Sequence, residues 1–216
     1  MSAARVKNRG SILFLVVFVL FSTGIIISAH RYLTHQRAAF KAQVDHELFT
    51  VAELKAGQLA EWTKERLGDA EIIRAGAALM PELRRMLETG GAPEVERRVR
   101  TWIESWLYRQ DYANAILLDT RGRVRLAIGR LAGAPGHYAE IAARILRGGR
   151  VVFQDFHRDP GLPGVHLGLD IPLHANNGEP IGVLLLGIDP HEFLYPLLQA
   201  WPAASESAEI LLVRRE

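Results

Sequence analysis

Ser11 to Ala29 is an unbroken uncharged run rich in Leu, Val, Ile and Phe, and no other segment restricts this chain's fold as strongly. As a helix rising about 1.5 Å per residue, it reaches across the roughly 30 Å hydrocarbon core of a bilayer. Arg5, Lys7 and Arg9 precede it with no acidic residue among them. The positive-inside bias then keeps the N-terminus cytoplasmic, although His30, Arg31 and Arg37 on the far side reduce the contrast. The expected order is a cytoplasmic tail at 1–10, a transmembrane helix at 11–29 in the inner membrane, and a periplasmic remainder. A cleaved signal peptide is the competing reading. Its apolar core should run about 7–15 residues, with small residues flanking the cut. Here the run is longer, and Ile27 occupies the −3 position of a cut after Ala29. A cut after Gly24 stays open.

Composition narrows the function class. The formal net charge is +2, and no Lys/Arg stripe interleaved with aromatics follows the cationic N-terminus, so nucleic-acid binding has little support. There is no Cys. That excludes a lipoprotein Cys, disulfides and thiolate metal sites, and it suits an oxidising periplasm. At 216 residues the chain can hold one or two domains with a modest hydrophobic core.

Tyr32 to about Met80 contains no Pro and only three Gly. Phe40, Val44, Leu48, Val51, Leu54, Leu59 and Trp62 recur at steps of three to five, an amphipathic helix stripe. That stripe should meet a second copy of itself or a folded domain behind it. Residues 30–90 are therefore expected to form a long extracytoplasmic helical region, with Pro81 starting a new segment over Glu82 to Glu88. Thr89-Gly90-Gly91-Ala92-Pro93 breaks it, and Glu94 to Tyr108 resumes helical spacing.

Beyond Tyr112 the period changes. Ala115 to Leu118 and Val124 to Ile128 flank Asp119-Thr120-Arg121-Gly122-Arg123, which reads as a hairpin. His137 to Arg147 is helical. Strands follow at Val151 to Phe156, His166 to Leu173 and Pro180 to Asp189, the last two joined through Asn176-Asn177-Gly178. Pro190 to Gln199 reads as a short helix ended by Trp201-Pro202, and Glu209 to Val213 as a strand with no partner after it. The fold class is α+β, with a five-stranded antiparallel sheet and helices on one face.

Several of these segments resemble one family. Leu54-Lys55-Ala56-Gly57-Gln58-Leu59-Ala60-Glu61-Trp62-Thr63-Lys64-Glu65-Arg66, followed by Asp69-Ala70, looks like the signature helix of the double Cache sensors. These are PAS-like extracytoplasmic modules on bacterial transmembrane histidine kinases and diguanylate cyclases. Asp170-Ile171-Pro172-Leu173 and Gly182-Val183-Leu184-Leu185-Leu186-Gly187-Ile188-Asp189-Pro190 resemble the last two strands of the membrane-distal module. Phe193 to Gln199 with Trp201-Pro202 is similar to the linker into the membrane-proximal module. The resemblance implies a PAS-like distal module at 91–190. It also implies a linker helix and the first strand of an incomplete proximal module at 191–216. Kinase or cyclase output is not carried over, because the chain stops short of it.

Candidate chemistry is sparse. His46-Glu47-Leu48 resembles a kinase phospho-acceptor box but lacks the downstream Pro, and it reads as a solvated helix face. His157, Asp159 and His166, with Asp155 nearby, lack a helical ligand spacing and read as loop residues rather than a metal site. No phosphate loop or nucleophile elbow is present, so neither an enzyme nor a cofactor is expected.

Ligand capture remains. The resemblance implies a pocket between the sheet and its covering helices, apolar with a few convergent polar groups. Candidates are Trp102, Trp106 and Tyr108, with Arg109 to clamp a carboxylate and Asp189 to accept from an amine. Asp155, His157 and Arg158 form a second cluster. Against these stand plainer readings: the two Trp share a helix face suited to a core, and Asp189 suits a cap on the following helix. Arg109 follows Tyr108 with no Trp-Tyr pair after it, a departure from the amino-acid-binding members. The expectation is a membrane-anchored sensor for an organic acid, amino acid or amine, dimeric through the long helix. A pilin-like subunit is the rival, but Leu15 stands where pilins carry Glu. An orphan binding module is the third reading.

Overall fold

The structure, a computed structural model, describes residues 3–76, 79–110, 112–129, 137–158, 164–200 and 210–213, the side chains of 3–12, 109 and 110 excepted. Its elements are α1 (Ala3–Ala75), α2 (Met80–Thr89), α3 (Pro93–Gln110), β1 (Asn114–Asp119), β2 (Val124–Ile128), α4 (His137–Gly148), β3 (Val152–His157), β4 (His166–His174), β5 (Pro180–Ile188) and α5 (Leu194–Gln199). The chain divides into two compact units, Met1–Leu54 and Lys55–Glu216.

The first unit is helical throughout its described length. Leu13 to Phe21 and Ile25 to Ile27 are exposed large apolar side chains, in the one helix among the described residues that is long and apolar enough to cross a membrane. A helix apolar on all sides needs an apolar surrounding.

The second unit is α+β. Its sheet is antiparallel in every pairing, with strand order β2-β1-β5-β4-β3. Both hairpin turns form where the sequence places them. Gly122 (φ 74°) closes the β1–β2 turn and Gly178 (φ 82°) the β4–β5 turn, at angles that suit glycine. At Gly122 space forbids a side chain as well, since a Cβ would stand 2.4 Å from the Ala139 Cα of α4.

Strand alternation sends successive residues to opposite faces. Ala115 and Leu117 of β1, Leu169 and Ile171 of β4, and Leu184 and Leu186 of β5 join the core formed with α1, α2 and α3. Ile116, Leu118 and Val183 instead pack with Tyr138, Ala142 and Ile145 of α4. Helices therefore cover both faces, not the single face expected, because α4 carries its own apolar stripe and β1 and β5 are apolar on both sides.

The helix signature does visible packing work. Trp62 stacks on Phe193 at 5.6 Å between ring centroids and meets Phe153 edge-on at 6.0 Å. Buried Lys55 donates to the Leu197 carbonyl of α5 at 2.6 Å, satisfying a helix-end acceptor. Arg66 lies 3.4 Å from Asp69, and its guanidinium sits 5.5 Å over the Tyr112 ring.

Two expectations at the C-terminal end need correction. The helix begins at Leu194 rather than Pro190, because the Asp189 carboxylate accepts the His191 N–H at 2.8 Å and holds residues 190–193 in turns. Residues 210–213 form no strand, which would need a neighbour's backbone groups. Trp201-Pro202 and Glu209 lie outside the described residues.

Candidate functional site

A cavity of about 250 Å³ opens on the α4 face of the sheet. Its floor follows from two glycines. Gly168 of β4 and Gly187 of β5 are directly paired across the sheet, and Asn114 of β1 is paired with Gly187. Glycine inside a strand leaves no side chain to fill the layer and marks places where something approaches the backbone closely. Asn114 takes part of that space: a Cβ on Gly187 would fall 2.4 Å from its Oδ1.

The walls carry the polarity. α4 supplies His137 and Arg144, β3 and the residue after it supply Gln154, His157 and Arg158, and β4 supplies His166 and Asp170. Asp170 is buried, and Gln154 Nε2 donates to its Oδ2 at 2.5 Å. Arg144 Nη2 approaches the same oxygen at 3.5 Å from a side chain that is 57% exposed. Burial pushes the Asp170 carboxyl above its ordinary range, only partly opposed by the Gln154 hydrogen bond and by the charges of Arg144 and His157. The His157 Nδ1 lies 2.8 Å from the Asp155 carbonyl, which can only accept, so Nδ1 carries the proton there.

The chemistry available is recognition of a small charged solute: charge-assisted donors from two guanidiniums, a buried carboxylate, imidazoles and an amide around an apolar base. Among the described residues, no three His, Cys, Asp or Glu groups converge as a metal site would require.

Of the residues singled out in the sequence, His157 and Arg158 line this cavity. Trp102 and Trp106 pack against the apolar core that α1, α2 and α3 share with the sheet. Tyr108 is 92% exposed, and the Arg109 side chain lies outside the described residues. Asp155 is exposed, its carboxylate accepting the Phe156 N–H at 2.7 Å. Asp189 does not line the cavity. It binds both the backbone N–H and the ring of His191, and these contacts outweigh desolvation to hold its carboxyl below the ordinary range.

Sequence reasoning missed Arg144, Gln154, Asp170 and the glycine pair. One signal was present: Gly168 and Asp170 interrupt the otherwise apolar Leu167 to Leu173 segment, both on the phase facing α4. Register was needed to see that Gly187 lies opposite Gly168.

No family model and no curated protein sequence matches the chain. Similar solved structures include the ligand-binding domain of the Pseudomonas aeruginosa PAO1 amino-acid chemoreceptor PctC in complex with GABA, at 17% identity and TM-score 0.48, covering 68% of this chain and 64% of that one. The extracellular domain of vpHK1S-Z8, assigned as a histidine kinase, aligns at 18% identity and TM-score 0.46, covering 72% and 63%. The ligand-binding domain of the Campylobacter jejuni chemoreceptor Tlp3 with 4-methylisoleucine aligns at 16% and 0.39, covering 68% and 62%. The chain thus spans less than two thirds of the length of each of these three. Likeness at this level leaves the functional reading to the chain's own cavity.

Proposed function

We propose that this chain is a membrane-anchored sensor region that captures a small charged solute outside the inner membrane and passes the event along α1 toward the bilayer. The observation that supports it most directly is the cavity on the α4 face. A glycine-paired floor leaves the layer unfilled, a polar wall surrounds buried Asp170, and together they suit a ligand of modest size. The Ser11–Ala29 run is the anchor in this reading, with the N-terminus cytoplasmic. The exposed Phe40, Leu48 and Leu54 stripe of α1 takes a second copy of the chain. A ligand shifts the helix equilibrium only as far as its affinities for the two states differ.

The test is a thermal-shift screen of the full chain in lipid nanodiscs against organic acids, amino acids and amines. A ligand at 100 times its Kd stabilises by about 2.7 kcal/mol, which is readily seen as a rise in Tm. At least one class should raise Tm, and Gly187→Val should abolish the rise. A flat screen on well-folded protein overturns the reading.

A further inference from the structure

The same cavity is specific about charge. We infer that it is built for a small dianion, gripped by Arg144 and Arg158, and that the ligand takes Arg144 away from Asp170. This rests on the cavity being the ligand site proposed above. Three of the elements facing the space bring titratable or charged groups. α4 brings Arg144 and His137, the β3 end brings His157 and Arg158, and β4 brings His166 and Asp170. The lining from β1 and β5 (Asn114, Ile116, Leu185, Leu186, Gly187) carries no charge. Two permanent guanidinium cations therefore face one carboxylate, with three imidazoles able to add positive charge and none able to add negative.

The hydrogen bonding points the same way. Gln154 and Arg144 converge on one oxygen of Asp170, Gln154 at 2.5 Å and Arg144 at 3.5 Å. The arginine contact is long, and its side chain is more than half exposed, so the pair holds Arg144 weakly. A guanidinium in that position can turn its planar fork onto an incoming carboxylate or phosphate and bind it bidentately. Gln154 continues to satisfy Asp170 when Arg144 leaves. An ammonium ligand has no such route. It would have a single carboxylate to approach while facing both guanidiniums.

Titration calorimetry of the full chain in nanodiscs, with succinate, inorganic phosphate and 1,4-diaminobutane as separate probes, tests the assignment. Succinate or phosphate should bind and the diamine should not. Binding of succinate alone marks a dicarboxylate site, and binding of phosphate alone a phosphate site. Arg158→Gln, a change at an exposed residue that leaves the core untouched, should weaken the bound anion about tenfold or more. Asp170→Asn should tighten it severalfold by removing the competitor for Arg144. Diamine binding without anion binding overturns the inference and leaves the sensor reading standing. So does another solute from the screen binding while both anions fail. Anion affinity unchanged by both substitutions also overturns it, because the ion then sits elsewhere.

Discussion

The two faces of the sheet are made by the same strands, yet they solve different problems. Toward α1, α2 and α3, β4 presents Leu167, Leu169, Ile171 and Leu173, all buried in one apolar cluster. One residue out of phase, the same strand presents Gly168 and Asp170 to the α4 side and to a cavity. Burial stabilises by about 25 cal/mol per Å² of apolar surface, so the first face, with the larger buried cluster, carries more of the folding free energy than the α4 face does. The second face gives some of that up, leaving a glycine floor unfilled and a carboxylate desolvated. Side-chain alternation thus gives one sheet a face that is closed throughout and a face that is packed only in part and open to chemistry beside that packing.

That division is tested most severely on the closed face. Leu169→Ala removes a fully buried side chain and should cost about 2–5 kcal/mol. Urea denaturation monitored by circular dichroism measures it. Ile141→Ala, on the half-buried wall of the cavity, should cost less than half as much. Equal losses would mean that the two faces share the load, and the comparison would break.

Two buried aspartates, Asp119 and Asp170, sharpen it further. Asp119 lies at the β1–β2 turn, where Oδ1 accepts the Arg121 and Arg123 N–H groups at 2.9 and 3.0 Å. Arg123 Nε and Arg125 Nε reach Oδ2 at 2.7 and 3.1 Å. Desolvation works against ionisation, but the Arg123 and Arg121 N–H groups and the Arg123 side chain outweigh it and hold the carboxyl below its ordinary range. A lowered folded-state pKa contributes stability that is present above the unfolded value and lost as pH falls through the folded one. Asp119→Asn should therefore cost about 1.5–3 kcal/mol at neutral pH, the range for hydrogen bonds to a charged group. It should also flatten the acid limb of a stability–pH curve. A full-strength acid limb in the variant would assign it to other carboxylates.

The fold was more legible than the site for a physical reason. Helix and strand periods are local, so Glu94 to Tyr108, His137 to Arg147 and each of the five strands could be read from spacing alone. The signature around Trp62 was legible as a resemblance, and the Trp62–Phe193 stack and the Lys55–Leu197 hydrogen bond give it a packing role. The cavity depends on register between distant strands. Gly168 and Gly187 gain meaning only when paired, and Arg144 on an ordinary helix face gains it only when α4 lies over Asp170. The Trp pair carried both readings in the sequence, because aromatic side chains serve a core as readily as a ligand, and the structure packs both against the core.

Filling the floor separates stability from binding. Gly187→Val places its new atoms against the end of the Asn114 side chain, which can swing aside, so the stability cost should be about 1 kcal/mol, the low end for overpacking. Solute binding, measured by the same Tm shift, should disappear. A stable variant that still binds would move the ligand out of the cavity.

The smallest expected effect concerns Asp170, and its sign is the informative part. Burial raises its folded-state pKa above the unfolded value, more than Gln154, Arg144 and His157 lower it. Between those two values the folded state binds more protons, so this group's contribution is fully present below the unfolded pKa and is lost as pH rises through the folded one. That is the reverse of Asp119. Asp170→Asn keeps an oxygen for Gln154 and never ionises, so at neutral pH it should be as stable as the parent or more stable by up to about 1 kcal/mol. The difference between the two proteins should shrink as pH falls into the carboxylate range. Urea denaturation at a series of pH values reads both. A marked loss of stability at neutral pH would show that ionised Asp170 is a structural anchor like Asp119, and the contrast between the two faces would lose its electrostatic half.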